Sequence, residues 1–263
     1  MNCPPKNPTN PKYPLQLAYD LSDEKEKLEL ASFIIENSIQ TDYVKVKEGS
    51  GLIGNLTPMH LAAMFGYEGA VTRIINKNSN EPKQADIHGV LLLVAKYRHL
   101  NTVQLLMTLT ENPNAPRNNG WTSIHSAARN GHLEVVRLLM TTTTNPNAPK
   151  SNGETPIHSA ASNGHLEVVR LLMTTTTIPN APTNNGWTSI HVAARWGHLE
   201  VVRLLMTATD ANPNAQTVSG KTPSDLAREF GHLEIEKELK AFSIIKDIPQ
   251  YNFLFYSTMN NSK

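Results

Sequence analysis

From about residue 54 to residue 248 the chain repeats itself with a period of 33, and no other feature restricts its fold so strongly. Gly120-Trp121-Thr122-Ser123-Ile124-His125 returns as Gly153-Glu154-Thr155-Pro156-Ile157-His158 and again as Gly186-Trp187-Thr188-Ser189-Ile190-His191. Gly220-Lys221-Thr222-Pro223 follows one residue late, because the segment from Thr207 to Ala215 carries an extra residue. Upstream, Leu100 and Met107 precede Leu133 and Met140 by one period, and Thr57-Pro58-Met59-His60-Leu61 opens an earlier unit. Six units therefore begin near residues 54, 87, 120, 153, 186 and 220.

Each unit reads as helix, turn, helix and extended loop. Thr155 before Pro156 is an N-cap followed by proline at the first helical position, where a missing N–H costs nothing. Gly164, free to adopt positive φ, turns the chain into a second helix over 165–173. There the apolar residues fall three and four apart on one face, and Glu167 and Arg170 are spaced to pair. Pro179 stops further helix. A unit this short cannot bury its apolar stripe alone, so the units must stack.

This pattern resembles the ankyrin repeat, with its Thr-Pro-Leu-His signature and inter-helix Gly-His, over residues 51–248. The resemblance implies an all-α solenoid of stacked helix-turn-helix units joined by β-hairpin-like loops. The second unit reads His88-Gly89-Val90-Leu91-Leu92 in place of the signature, which predicts an irregular first helix. The last has Ser224-Asp225 for the usual apolar residue and histidine, as a terminal unit facing water would. Where the family places glycine after the second helix, this chain has Thr110, Thr143, Thr176 and Thr209. A β-branched residue at positive φ is costly, so the helices are expected to fray through the threonine run.

The ends differ from the middle. Residues 1–14 are rich in Pro, Asn and Lys and read as a disordered tail. Residues 15–50 carry a helical stripe of Leu28, Ala31, Ile35 and Ile39 and read as an N-terminal helical cap. Residues 249–263 form an aromatic tail, Tyr251-Asn252-Phe253-Leu254-Phe255-Tyr256, that either covers the stack or docks on a partner.

Chemistry is hard to find. Nine of the ten histidines recur at two repeat positions, the signature and the inter-helix turn. Equivalent positions in adjacent units stand about 8–10 Å apart. A zinc ion needs its nitrogens about 2.0–2.1 Å away, so these ladders are expected to bond backbone groups and bind no metal. There is no G-x-S-x-G, phosphate loop or HExxH, and the only cysteine is Cys3. The expectation is a non-enzyme without cofactor. A formal net charge of +1 gives no footprint for nucleic acid. The longest apolar run, Val90 to Ala95, is far too short to span a membrane. A soluble, monomeric, cytoplasmic or nuclear protein is expected.

The resemblance places partner binding on a concave face formed by the residue before the signature threonine and two residues ending the first helix. In unit order these are Leu56, Met64 and Phe65; His88, Lys96 and Tyr97; Trp121, Arg129 and Asn130; Glu154, Ser162 and Asn163; Trp187, Arg195 and Trp196; Lys221, Glu229 and Phe230. Trp, Tyr, Phe and Arg dominate binding energy at interfaces. Trp121 and Trp187 could equally pack on the next hairpin, whereas Trp196 stands where Asn130 and Asn163 suffice for packing. The partner is expected to be a protein or peptide. Arg129, Arg195, Lys96 and Lys221 make the face mildly basic and suit an acidic or phosphorylated ligand. A second reading is a modification substrate: Asn114, Asn147, Asn180 and Asn214, each before Ala, match the hairpin asparagine hydroxylated in many animal ankyrin proteins. Proline at 113, 146, 179 and 213 departs from that pattern.

Overall fold

The computed structural model describes residues 44–48, 51–56, 58–64, 66–77, 84–143, 145–176 and 178–246. They fall into two compact units divided between Glu111 and Asn112. The proposed tails, the helical stripe over 28–39 and the aromatic run over 251–256 lie outside the described residues.

The first unit opens with strands β1 (Val44–Glu48) and β2 (Gly51–Leu56), paired antiparallel with Val44 opposite Leu56 and an irregularity after Val46. The end of the segment read as helical cap is therefore strand, as the alternation of Val44 and Val46 with Lys45 and Lys47 allows. Helices α1 (Pro58–Met64), α2 (Glu68–Lys77), α3 (Gln84–Tyr97) and α4 (Leu100–Met107) follow as two helical pairs. Helix α3 corrects the expectation of irregularity. It is a continuous 14-residue helix, because the buried Ile87, Val90, Leu91, Val94 and Ala95 recur at helical spacing without any signature.

The second unit stacks four repeats: α5 (Ser123–Arg129) with α6 (Leu133–Met140), α7 (Pro156–Ala161) with α8 (Leu166–Met173), α9 (Ser189–Arg195) with α10 (Leu199–Met206), and α11 (Pro223–Glu229) with α12 (Leu233–Lys246). First helices pack on first helices and second on second, giving two helical layers. Helices of six to eight residues are marginal in water and are held here by packing. Ile124, Ile157 and Ile190 are fully buried, as are Leu139, Leu172 and Leu205. Each such side chain contributes about 1.5–3 kcal/mol.

As expected, Thr143 and Thr176 are not at positive φ, and the second helices end in a hydrogen-bonded turn of threonines. Thr141, Thr174 and Thr207 stay right-handed at φ −67°, −70° and −77°. Their hydroxyls donate to the carbonyls three residues back, each at 2.7 Å. Thr142 and Thr175 repeat the bond one residue later at 2.9 and 2.7 Å. Each of these carbonyls also accepts from the same threonine's N–H, so the helix end is satisfied and no left-handed residue is needed. Arg98 is the only described non-glycine at positive φ (65°), and it occupies the inter-helix position that Gly131, Gly164 and Gly197 hold elsewhere.

Candidate interaction surface

The surface rests on two histidine ladders. In the first, the N–H of each signature threonine donates to Nδ1 of the histidine three residues on: Thr122 to His125 at 3.3 Å, Thr155 to His158 at 3.3 Å, Thr188 to His191 at 3.1 Å. Nδ1 is therefore the bare nitrogen, and Nε2–H donates forward to the next repeat. It reaches the carbonyls of Glu154 (3.4 Å), Trp187 (3.1 Å) and Ala215 (2.9 Å). Burial pushes His125 and His158 down to about 4, outweighing the carbonyls of Glu154 and Trp187 that favour the charged ring. Burial lowers His191 in the same way. These rings are neutral struts.

In the second ladder, the inter-helix histidines reach back one repeat. His165, His198 and His232 donate from Nε2 to the carbonyls of Arg129, Ser162 and Arg195 at 3.0, 3.1 and 3.0 Å. In the first unit His99 reaches Met64 at 2.7 Å. Gly164, before His165, is required for two reasons: its φ is +73°, and a Cβ there would stand 2.6 Å from the His198 ring. Among the described residues no group of three or more His, Cys, Asp or Glu could hold a metal ion.

Asp225 replaces the signature histidine in the last repeat. Its carboxylate accepts from the Thr222 N–H at 3.1 Å and hydroxyl at 2.7 Å, so the cap survives. Those bonds hold its carboxyl below the usual range.

Between these struts the hairpin tips line up. Each tip closes on itself, as when the Lys150 N–H donates to Glu154 at 2.7 Å, and ties to the preceding tip, as when Ser151 donates to Asn119 at 3.0 Å. The residue before each signature threonine is thereby held beside the end of each first helix. Lys150 Nζ lies 4.8 Å from the Trp121 ring centre and pairs with Glu154. Although burial works against it, the Lys150 hydrogen bond holds the Glu154 carboxyl below its usual range. One repeat further, the Arg195 guanidinium sits against three rings: Phe230 at 4.8 Å, Trp187 at 5.5 Å and Trp196 at 5.5 Å. Trp196 is 57% exposed and Phe230 45%. Trp121, Arg129, Glu154, Asn163 and Trp196 all border one cleft of about 420 Å³.

The family model for ankyrin repeats aligns in three copies, over residues 59–150, 143–217 and 177–247. The chain is an ankyrin-repeat protein. No curated protein matches it. Ankyrin repeats are generally protein-interaction modules and typically non-catalytic. No described helix is long and apolar enough to cross a membrane.

The ankyrin face expected from the sequence divides by unit. In the second unit Trp121, Arg129, Glu154 and Trp196 come together around the cleft, and Trp187, Arg195 and Phe230 join Trp196. Lys221 stands with Glu229, paired at 3.3 Å. Asn130 and Asn163 spend their amides on the carbonyls of Ser126 and Ser159 at 2.8 and 3.0 Å, ending their own helices. In the first unit Met64 is only 7% exposed and belongs to the core. Lys96 Nζ lies 5.1 Å from the Tyr97 ring, and His88 bonds Thr110 at 2.9 Å. Phe65 and the Leu56 side chain lie outside the described residues.

Lys150 is the surface residue that sequence reasoning missed. Its four-residue spacing from Glu154 across a tight hairpin was the available signal. The hairpin asparagines have structural work: buried Asn114 and Asn147 accept from Ile124 and Ile157 N–H at 3.0 and 3.2 Å, fixing the loop to the first helix. Buried Asn180 instead donates to Leu205 and Asp210, while Asn214 exchanges hydrogen bonds with Ser243.

Proposed function

We propose that this ankyrin-repeat chain is a non-catalytic adaptor or scaffold. It binds a partner protein or peptide across the tips and first-helix ends of its second unit. The observation that carries the reading is the cluster of Arg195, Trp187, Trp196 and Phe230. Two large aromatic side chains stay exposed there, beside a cation that has no carboxylate partner among the described residues. A stack held only by packing needs none of this, since Asn130 and Asn163 fill the position of Trp196 in the neighbouring repeats. Exposed aromatics with arginine are the composition of binding hot spots.

Nucleic acid suits this surface less well, because Lys150 and Lys221 are paired with Glu154 and Glu229. Burial of Asn114, Asn147 and Asn180 likewise sets the modification reading behind the adaptor reading. A single cysteine fits a reducing compartment or simply a fold that needs no disulfide. The test is partner capture from a native lysate on the wild-type protein and on an Arg195→Glu/Trp196→Ala variant, each shown to be folded by circular dichroism. Specific capture by the wild type that the variant loses supports the surface. Equal capture by both places binding elsewhere.

A further inference from the structure

The charges on this surface are not all available to a ligand. Lys150 is paired with Glu154 and Lys221 with Glu229. On the outer layer Arg137, Arg170 and Arg203 pair with Glu134, Glu167 and Glu200. Arg129 and Arg195 form no ion pair among the described residues, and both end a first helix on the same surface. The Nε of Arg195 is buried without a hydrogen-bond partner, because three aromatic rings surround the guanidinium and none can accept in its plane. The aromatic packing covers the Nε edge of that cation and excludes water from it. An incoming anion would therefore meet a guanidinium backed by rings and partly desolvated.

Arg129 and Arg195 occupy equivalent positions two repeats apart. First-helix packing of about 8–10 Å per repeat puts about 16–20 Å between those positions. An extended chain rising about 3.3 Å per residue covers that distance in about five or six residues. Arg129 and Trp196 both border the cleft, and Trp196, next to Arg195 in sequence, offers an exposed ring there.

We propose that the surface recognises an extended acidic peptide segment. It carries two Asp or Glu side chains about five or six residues apart, one for Arg129 and one for Arg195, with an apolar residue beside the second seated against Trp196. The proposal rests on the adaptor reading and names the chemistry of its partner. Carboxylate fits better than phosphate. Each arginine supplies one charge, and the Lys150–Glu154 pair on the same cleft adds no net charge. A phosphate bearing nearly two negative charges would be left partly uncompensated there.

The test is selection from a library of random peptides long enough to span three repeats, displayed on phage. It is panned against the wild type, Arg195→Glu, Arg195→Gln, Arg129→Glu and Trp196→Ala, each checked for folding by circular dichroism. The glutamine variant removes the charge while keeping most of the stem, should Arg195→Glu disturb the stack. The wild type is expected to enrich peptides with two acidic positions at that spacing. Exchanging one acidic residue of a selected peptide for its amide should weaken binding about tenfold on the wild type and little on the matching arginine variant. Enrichment that Trp196→Ala abolishes but that shows no acidic bias overturns the carboxylate proposal and leaves the adaptor surface standing. Enrichment indifferent to all four variants overturns both. Absence of enrichment counts against both. Tighter binding when phosphoserine replaces the acidic residue overturns the choice of carboxylate.

Discussion

Ile124, Ile157 and Ile190 are alike in identity and burial, whereas the equivalent hairpin-tip residues Trp121, Glu154, Trp187 and Lys221 range from aromatic to acidic to basic. The same contrast separates His125 and His158, both neutral struts, from Arg129 and Ser162 a few residues on. Inside the stack each repeat must present what the next one accepts, so variation there breaks two repeats at once. At the tips and helix ends exposed side chains such as Trp196 and Phe230 are free to answer to solvent or a ligand. Periodicity marks what holds the protein together, and departure from periodicity marks where it can act.

Acid gives the largest expected break on the interior side. The native pKa of His125 and His158 is about 4, below the ordinary imidazole value of 6.5, so the unfolded chain takes up protons first. Stability is therefore complete above about pH 6.5 and falls as the pH drops towards 4, by roughly 3 kcal/mol per histidine. Urea titrations across that window should show the midpoint dropping, and His158→Gln should flatten the dependence. Ile157→Ala removes a fully buried side chain between repeats and should cost about 2–5 kcal/mol in the same assay at neutral pH. Gly164→Ala forces a side chain into positive φ and against His198, for a loss of about 2–3 kcal/mol. Asn147→Ala strips the Ile157 N–H of its acceptor and should cost about 1–2 kcal/mol by thermal melting.

Much of this was legible beforehand because each local rule repeats. The 33-residue period, the threonine caps, the inter-helix glycines and the backbone role of the histidines follow from residue type and spacing alone. What escaped the sequence had physical causes. Helix α3 lacks the signature, yet its apolar spacing sustains 14 residues because burial outweighs capping. Threonine read as a poor left-handed residue, while its hydroxyl offered another way to end a helix. Met64 matched a surface position by register but sits in the core. On the surface, the aromatic excess at Trp187, Trp196 and Phe230 was visible, but its gathering around one arginine depends on packing across two repeats. Likewise the Lys150–Glu154 pair removes charge that composition alone would count as available.

The most direct test carries one interior and one surface variant through both assays. Ile157→Ala and Trp196→Ala are each measured for melting temperature and, below both melts, for retention of the partner captured by the wild type. The account predicts a crossing. Ile157→Ala melts earlier and still binds, whereas Trp196→Ala changes stability by less than about 0.5 kcal/mol and loses the partner. If Trp196→Ala melts as early as Ile157→Ala and still retains the partner, Trp196 belongs to the framework and the surface assignment is contradicted.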